Sequence, residues 1–211
     1  LLPALVRENR EFLIRAVTWA ARQGIGQFID LGAGLPTSTS LPVHQAARAV
    51  LPAARVAYVD IDRVVVTHAA VNADLTDPVA VLRAREMRQV IDPAQPVCMI
   101  LGAVLHFCDA DAARQVTAGY RQLVAPGSCL VLSVARYDDE PLAKQLAAEY
   151  HASQFVNHSA ADITSFFAGW QLVSPWVTEA GAWQQPEATL SALASRTGHV
   201  MAGVAMRAAE T

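Results

Sequence analysis

The chain has 211 residues, 53% of them hydrophobic, and a formal net charge of −3. That is enough apolar chain for one packed domain, and it excludes a disordered segment. The charge balance gives no basis for binding nucleic acid or an anionic membrane, and no apolar run approaches the roughly 20 residues of a spanning helix.

In chain order, "LLPALVRENREF" turns charged too soon for a secretory leader. It lacks a starting Met, so the natural N-terminus is expected upstream. From Leu2 to Ala20 the apolar positions Leu2, Leu5, Val6, Leu13, Ala16, Val17 and Ala20 recur at helical spacing. Asn9 falls within that stripe, which predicts an amide pointing inward. Strand-like runs follow at 27–33, 55–61, 69–75, 97–107 and 128–135, several of them apolar on both parities. Parallel strands covered on two faces read that way. Helical patterns lie between them, most clearly over 109–124, with further helices over 140–150 and 160–169. Two late strands are expected at 170–177 and 199–207. The alternation predicts a doubly wound, mostly parallel α/β sheet behind an N-terminal helix, with its ligand at the carboxyl ends of the strands. One connection is too short. Residues 62–69 join two parallel neighbours where a dozen residues are usual, so either the helix there is a stub or part of the natural chain is missing from this numbering.

The strand ends carry the chemistry. The first ends in Asp30, Gly32, Ala33 and Gly34; the second in Asp60 and Ile61; the third in Asp74 and Leu75. The fourth gives Gly102 and Ala103, then His106. Glycines at 32 and 34 allow the backbone close to a ligand, but the third glycine of a dinucleotide fingerprint is absent. A carboxylate at Asp60 can accept two ribose hydroxyls at once. Asp74 can accept from an exocyclic amine, although "ADLTDP" equally suits an Asx turn. Asp30 beside the glycine turn would repel a pyrophosphate and favour a cation. An adenosine without phosphates and with a cationic centre describes S-adenosylmethionine. A nicotinamide-dependent oxidoreductase fits less well for the same two reasons, and a non-catalytic S-adenosylmethionine-binding protein stays open.

His106, the histidine expected at this rim, is the candidate general base, its ordinary pKa being close to working pH. A hydrogen-bonded turn or a pocket wall would use the same residue. Asp138, Asp139 and Glu140 suit a helix start better than a metal, and no metal site is expected. Cys98, Cys108 and Cys129, with no C-x-x-C spacing, read as small hydrophobes in a reducing cytosol. No N/D-P-P-Y/F motif follows the fourth strand, which sets aside amino methylation of DNA bases.

With these motifs in place, the chain resembles the class I S-adenosylmethionine-dependent methyltransferases. "DLGAG" is similar to their glycine motif, Asp60 to their ribose acid, "ADL" to their adenine-side acid and "GWQLVSP" to their sixth strand. The ordered set "RENREFL", "QFIDLGAGLPT", "ARVAYVDID", "ADLTDP" and "LGAVLHF" resembles, more narrowly, a bacterial S-adenosyl methyltransferase family long carried as a domain of unknown function. The resemblance implies a seven-stranded sheet with an antiparallel last strand. The expectation is one domain over 1–211: an N-terminal helix (1–24), a cofactor half (25–135) and an acceptor half (136–211). Its reaction would be methyl transfer to oxygen or nitrogen of a small molecule in the cytoplasm. The acceptor pocket is expected from the helix and the segments 136–160 and 178–198.

Overall fold

The computed structural model describes residues 2–34, 41–62, 70–149, 155–185 and 198–208. Helix α1 (Leu2–Arg22) leads into β1 (Gln27–Leu31), α2 (Val43–Val50) and β2 (Arg55–Asp60). Then come β3 (Ala70–Asn72), α3 (Pro78–Arg83), α4 (Arg85–Val90) and β4 (Cys98–Gly102). A single 3₁₀ turn (Leu105–Phe107) precedes α5 (Ala110–Leu123) and β5 (Cys129–Tyr137). The chain continues with α6 (Glu140–Glu149), α7 (Ala160–Ser165), β6 (Gln171–Leu172), β7 (Thr178–Glu179) and β8 (Gly198–Met206). The sheet order is β3-β2-β1-β4-β5-β8-β6, with β7 also on β8. β1 to β5 are parallel, and β8 runs antiparallel to β5 from Cys129↔Met206 to Tyr137↔Gly198. The doubly wound, mostly parallel sheet with an antiparallel late strand is therefore as expected.

Alternation along the strands sorts side chains onto two faces. Phe28, Cys98, Ile100, Cys129, Val131, Val200, Ala202 and Val204 pack with α1 and α2. Ile29, Leu31, Met99, Leu101, Leu130, Leu132 and Val134 pack with α3, α4, α5 and α7. Every residue of β1 is buried, and burying a Val, Leu, Ile or Phe side chain stabilises the fold by about 1.5–3 kcal/mol. On the α1 face the aliphatic series stops toward the carboxyl ends. Where a core residue would continue it, β1 has Asp30, β4 has Gly102, and β5 has Ser133. The interior opens there.

α1 is clamped over that opening by a turn from far along the chain. Arg15 donates from Nη2 to the Ala180 carbonyl (2.6 Å) and from Nε to that of Trp183 (3.1 Å). Glu8 Oε1 accepts from Gly181 N at 2.9 Å. The Trp183 ring meets Phe12 and Trp19 edge-on, at 5.6 and 6.4 Å.

Several expected boundaries move. The 170–177 strand is reduced to Gln171–Leu172 because Pro175 has no amide to donate and Trp176 turns to positive φ (62°). The 160–169 helix stops at Ser165, and Phe166, Phe167 and Trp170 are buried from the turn that follows. β3 covers three residues of the expected 69–75 run. The short 62–69 connection falls almost wholly on residues 63–69, outside those described.

Candidate functional site

The opening under α1 is a cavity of about 310 Å³ that follows the strand ends from β1 across β4 and β5 to β8. Asn9, Asp30, Gly32, Ala33, Gly34, Gly102, Ala103 and His106 all line it. Asp60, Ile61, Asp74 and Leu75 do not; of these, Asp60 and Leu75 border the same glycine turn. Gly34 N donates to Asp60 Oδ2 at 2.9 Å, and Asp62 N donates to Asp60 Oδ1 at 2.9 Å. Two backbone donors thus fix the orientation of this carboxylate. Ile61 beside it is 71% exposed, an uncovered apolar side chain at the strand end.

The glycine turn has a local cause. Gly32 sits at φ 73°, and a Cβ there would lie 2.6 Å from Val104 Cγ2, so the turn closes tightly only without a side chain. Gly34, at φ 64°, has nothing within 4 Å of its own Cβ position among the described residues. One glycine is needed for packing, and the other leaves room among the described residues for close approach of a ligand to backbone.

The first acid behaves as its place in β1 dictates. Asp30 shares the α1 face with Phe28 and is buried. Burial pushes its pKa up to about 6; nearby Arg10 opposes the shift and Asp60 adds to it. A positively charged ligand in the cavity would relieve that penalty.

Asn9 points inward as expected. Ser133 Oγ donates to Asn9 Oδ1 at 2.6 Å and accepts from Ala103 N at 3.0 Å. α1, β4 and β5 are joined at the cavity wall by this hydroxyl, and Ala103 is held at φ 54°.

Asp74 takes the Asx-turn role: its Oδ1 accepts from Thr76 N (2.8 Å) and Thr76 Oγ1 (2.7 Å). The same turn is held from α5, where Tyr120 donates from its hydroxyl to the Leu75 carbonyl at 3.1 Å. Asn72 Nδ2 donates to the carbonyls of Asp60 (3.2 Å) and Ile61 (2.9 Å), steadying the second strand end.

His106 departs from expectation in one respect. It reaches the cavity, but it is buried between Phe107 (ring centroids 4.4 Å) and Phe155 (5.1 Å). Burial, and next the neighbouring His158, lower its pKa to about 4 rather than leaving it near working pH. Its Nδ1 is buried with no hydrogen-bond partner among the described residues. Two other histidines lie nearby. His158 packs behind it, with Nε2 3.1 Å from the Leu105 carbonyl. His199, at the start of β8, bridges Glu179 (2.7 Å) and Asp138 (2.9 Å), and Arg136 pairs with Asp138 at 2.9 Å. Asp138 is thus taken up by ion pairs.

The far wall matches expectation only in part. Tyr137 and Phe155, from the expected 136–160 segment, line the cavity together with Ala135 and Val200. The described part of 178–198 does not line it; residues 180–183 brace α1 from outside. Ser133 has no hallmark in the sequence except a hydroxyl in an otherwise apolar strand.

Three comparisons bear on this arrangement. A search of curated proteins finds no match. Among solved structures, the chain is similar to a candidate methyltransferase from Thermobifida fusca YX, with 32% identity over 96% of this chain and 81% of that one and a TM-score of 0.82. It is similar to a DUF574 family protein from Streptomyces avermitilis MA-4680, with 30% identity over 98% and 85% of the chains and a TM-score of 0.85. The fold is also shared, at 12% identity over 95% and 86% of the chains and a TM-score of 0.54, with the N-methyltransferase NodS from Bradyrhizobium japonicum WM9 in complex with S-adenosyl-L-homocysteine. The S-adenosyl methyltransferase family matches residues 2–208, nearly the whole described chain. By that match the chain belongs to the S-adenosyl methyltransferase family, whose cofactor is S-adenosylmethionine.

Proposed function

We propose that this protein transfers a methyl group to oxygen or nitrogen of a small molecule held in the cavity under α1. The observation that carries the reading is the continuity of that cavity, which runs from Asp30 and the glycine turn to a separate wall at Tyr137, Phe155 and Val200. One continuous, partly open cavity thus offers a cofactor end and an acceptor end. The cofactor half is 25–135, and α1 with the described residues after 136 supplies the acceptor side. A cavity roofed by a helix suits a small molecule better than a nucleic acid. Free cysteines, two of them buried, suit a reducing cytoplasm.

The residues present fit the cofactor. Asp60, oriented by its two backbone donors, keeps lone pairs on both oxygens for two ribose hydroxyls. Ile61 offers an apolar surface for a base. Asp74 uses Oδ1 on Thr76 and retains Oδ2 for an exocyclic amine, with Leu75 beside it. Gly32, Ala33 and Gly34 admit close approach to the backbone. Asp30 favours a positive centre, while Asn9, Gly102 and Ala103 form the wall between the two ends. S-adenosylmethionine supplies a methyl group on a sulfonium, an electrophile that needs no activation by the protein.

What remains for the chain is to exclude water and to align the acceptor. His106 is the group for that task. Neutral over the working range, it can hold the acceptor's hydrogen and receive it only as methylation makes that hydrogen acidic. Incubation with methyl-labelled S-adenosylmethionine and pools of small phenols, amines and carboxylic acids, read by mass spectrometry, tests the reading. A label transferred to one chemical class supports it. Cofactor binding with no transfer to any class would instead favour a non-catalytic binding protein.

A further inference from the structure

Beyond Gly102 the character of the cavity changes. Arg10 and Asp30 are the charged residues among its described lining, and they lie together at the glycine turn. The acceptor end is walled by Leu5, Val6, Phe107, Tyr137, Phe155 and Val200. Two of these, Val6 and Phe107, are 41% and 43% exposed while still lining the cavity, so the mouth on this side is apolar as well.

Within this apolar lining one polar atom is unaccounted for. His106 Nδ1 is buried and has no hydrogen-bond partner among the described residues, and its ring sits between Phe107 and Phe155. The same side chain lines the cavity, so a ligand there meets an imidazole with an unmet hydrogen bond. A hydroxyl suits this place best, because it can donate to the imidazole or accept from it and so serves either tautomer. The aromatic neighbours favour a flat partner. A carboxylate or ammonium would enter an apolar wall with no counter-charge, at several times the penalty of a neutral group.

We propose that the acceptor end is a binding subsite for an uncharged aromatic hydroxyl compound, its ring packed against Phe107 and Phe155 and its hydroxyl paired with the His106 imidazole. That the hydroxyl is also the methyl acceptor rests on the methyl-transfer reading above. Its binding does not.

Calorimetry with 2-naphthol and 2-naphthoate, in the presence and absence of S-adenosylhomocysteine, tests the subsite. The wild-type protein should bind 2-naphthol and bind 2-naphthoate at least about tenfold more weakly. His106→Phe keeps the stacked ring and removes the nitrogen, and should lose about tenfold in 2-naphthol affinity with S-adenosylhomocysteine affinity retained. Should that variant not fold, Val6→Lys at the exposed mouth gives a second measurement, and its preference should shift toward 2-naphthoate. Equal binding of the two probes, no loss in folded His106→Phe, or no shift in Val6→Lys would overturn the subsite. If S-adenosylhomocysteine binds and neither probe does, the subsite falls while the methyltransferase reading stands. If 2-naphthol binds with the expected His106 dependence and S-adenosylhomocysteine does not, the subsite stands and the cofactor reading falls.

Discussion

Ser133 and Asn9, 124 residues apart, meet in a buried hydrogen bond of 2.6 Å between Oγ and Oδ1. Through it the roof helix is tied to β5, and because Ser133 Oγ also accepts from Ala103 N, to the end of β4 as well. Ser133→Ala leaves Asn9 Oδ1 without this buried donor, and an unsatisfied buried acceptor costs about 1–3 kcal/mol. Chemical denaturation should show a loss in that range, with cofactor affinity falling as α1 loosens over the cavity. Unchanged stability would mean that α1 is held without this bond, by its apolar face and the Glu8, Arg15 and Trp183 contacts.

Asp60 is the expected centre of cofactor affinity. A hydrogen bond to a charged group contributes about 1.5–3 kcal/mol net, so Asp60→Ala should weaken S-adenosylhomocysteine binding about tenfold to a hundredfold. Part of that loss reflects Gly34 N and Asp62 N, which the carboxylate now holds. Thermal melting should show the variant folded. Unchanged affinity in a folded Asp60→Ala would remove the residue from the site.

For Asp30 the folded pKa, about 6, lies above the ordinary 3.8. Such a group contributes stability that is fully present below the unfolded value and is lost as pH rises through the folded one. The ligand-free protein should therefore be stabilised by Asp30→Asn at neutral pH, by roughly 1–3 kcal/mol, since each tenfold change in proton affinity corresponds to about 1.4 kcal/mol. The gain should vanish below about pH 4. The same change should reduce the preference for S-adenosylmethionine over the uncharged S-adenosylhomocysteine. A preference that survives Asp30→Asn would show that the carboxylate does not sense the cationic centre.

His106 titrates in the opposite sense. With a folded pKa lowered to about 4, it is neutral down to mildly acidic pH. Its contribution to stability is present above the ordinary 6.5 and is lost as pH falls toward the folded value. Turnover at saturating cofactor and acceptor should show no acid limb near pH 6.5, staying level to about pH 5. His106→Gln should lower turnover by roughly 10²-fold or more if the imidazole takes the proton, and far less if it only positions the acceptor.

At the outer edge of the rim, His199 has its pKa raised: its own burial acts against the shift, and the bonds to Asp138 and Glu179 outweigh it. Here stability is present below the unfolded pKa and is lost as pH rises through the folded one. His199→Asn should cost stability in acid and little at alkaline pH, measured as melting temperature against pH.

Much of the site is legible in the sequence because each strand ends in a residue that breaks the apolar pattern. Asp30 interrupts "QFIDL", Gly102 ends "CMILG", and Asp60 ends "RVAYVD". What is hidden depends on contacts between distant residues. Ser133 lies in a strand whose pattern predicts only burial, and nothing in "SVARY" announces a partner on the first helix. Tyr120 reads as one more core aromatic of α5 until its hydroxyl is found on the Leu75 carbonyl. The 178–198 stretch has the composition of a pocket loop, yet residues 180–183 pack behind α1, because Trp183 finds Phe12 and Trp19 there. The position of His106 at the rim follows from the fourth strand, but its basicity does not: the aromatic burial that lowers it comes partly from Phe155, 49 positions away in sequence.

Calorimetric titration of the wild-type protein and of Asp60→Ala with S-adenosylmethionine, S-adenosylhomocysteine and NAD tests the central claim most directly. The site built from Asp30, Gly32, Gly34 and Asp60 should bind the first two ligands and not the third, with both affinities reduced in Asp60→Ala. Binding of NAD in preference to either sulfur ligand, or a folded protein that binds none of the three, would contradict it.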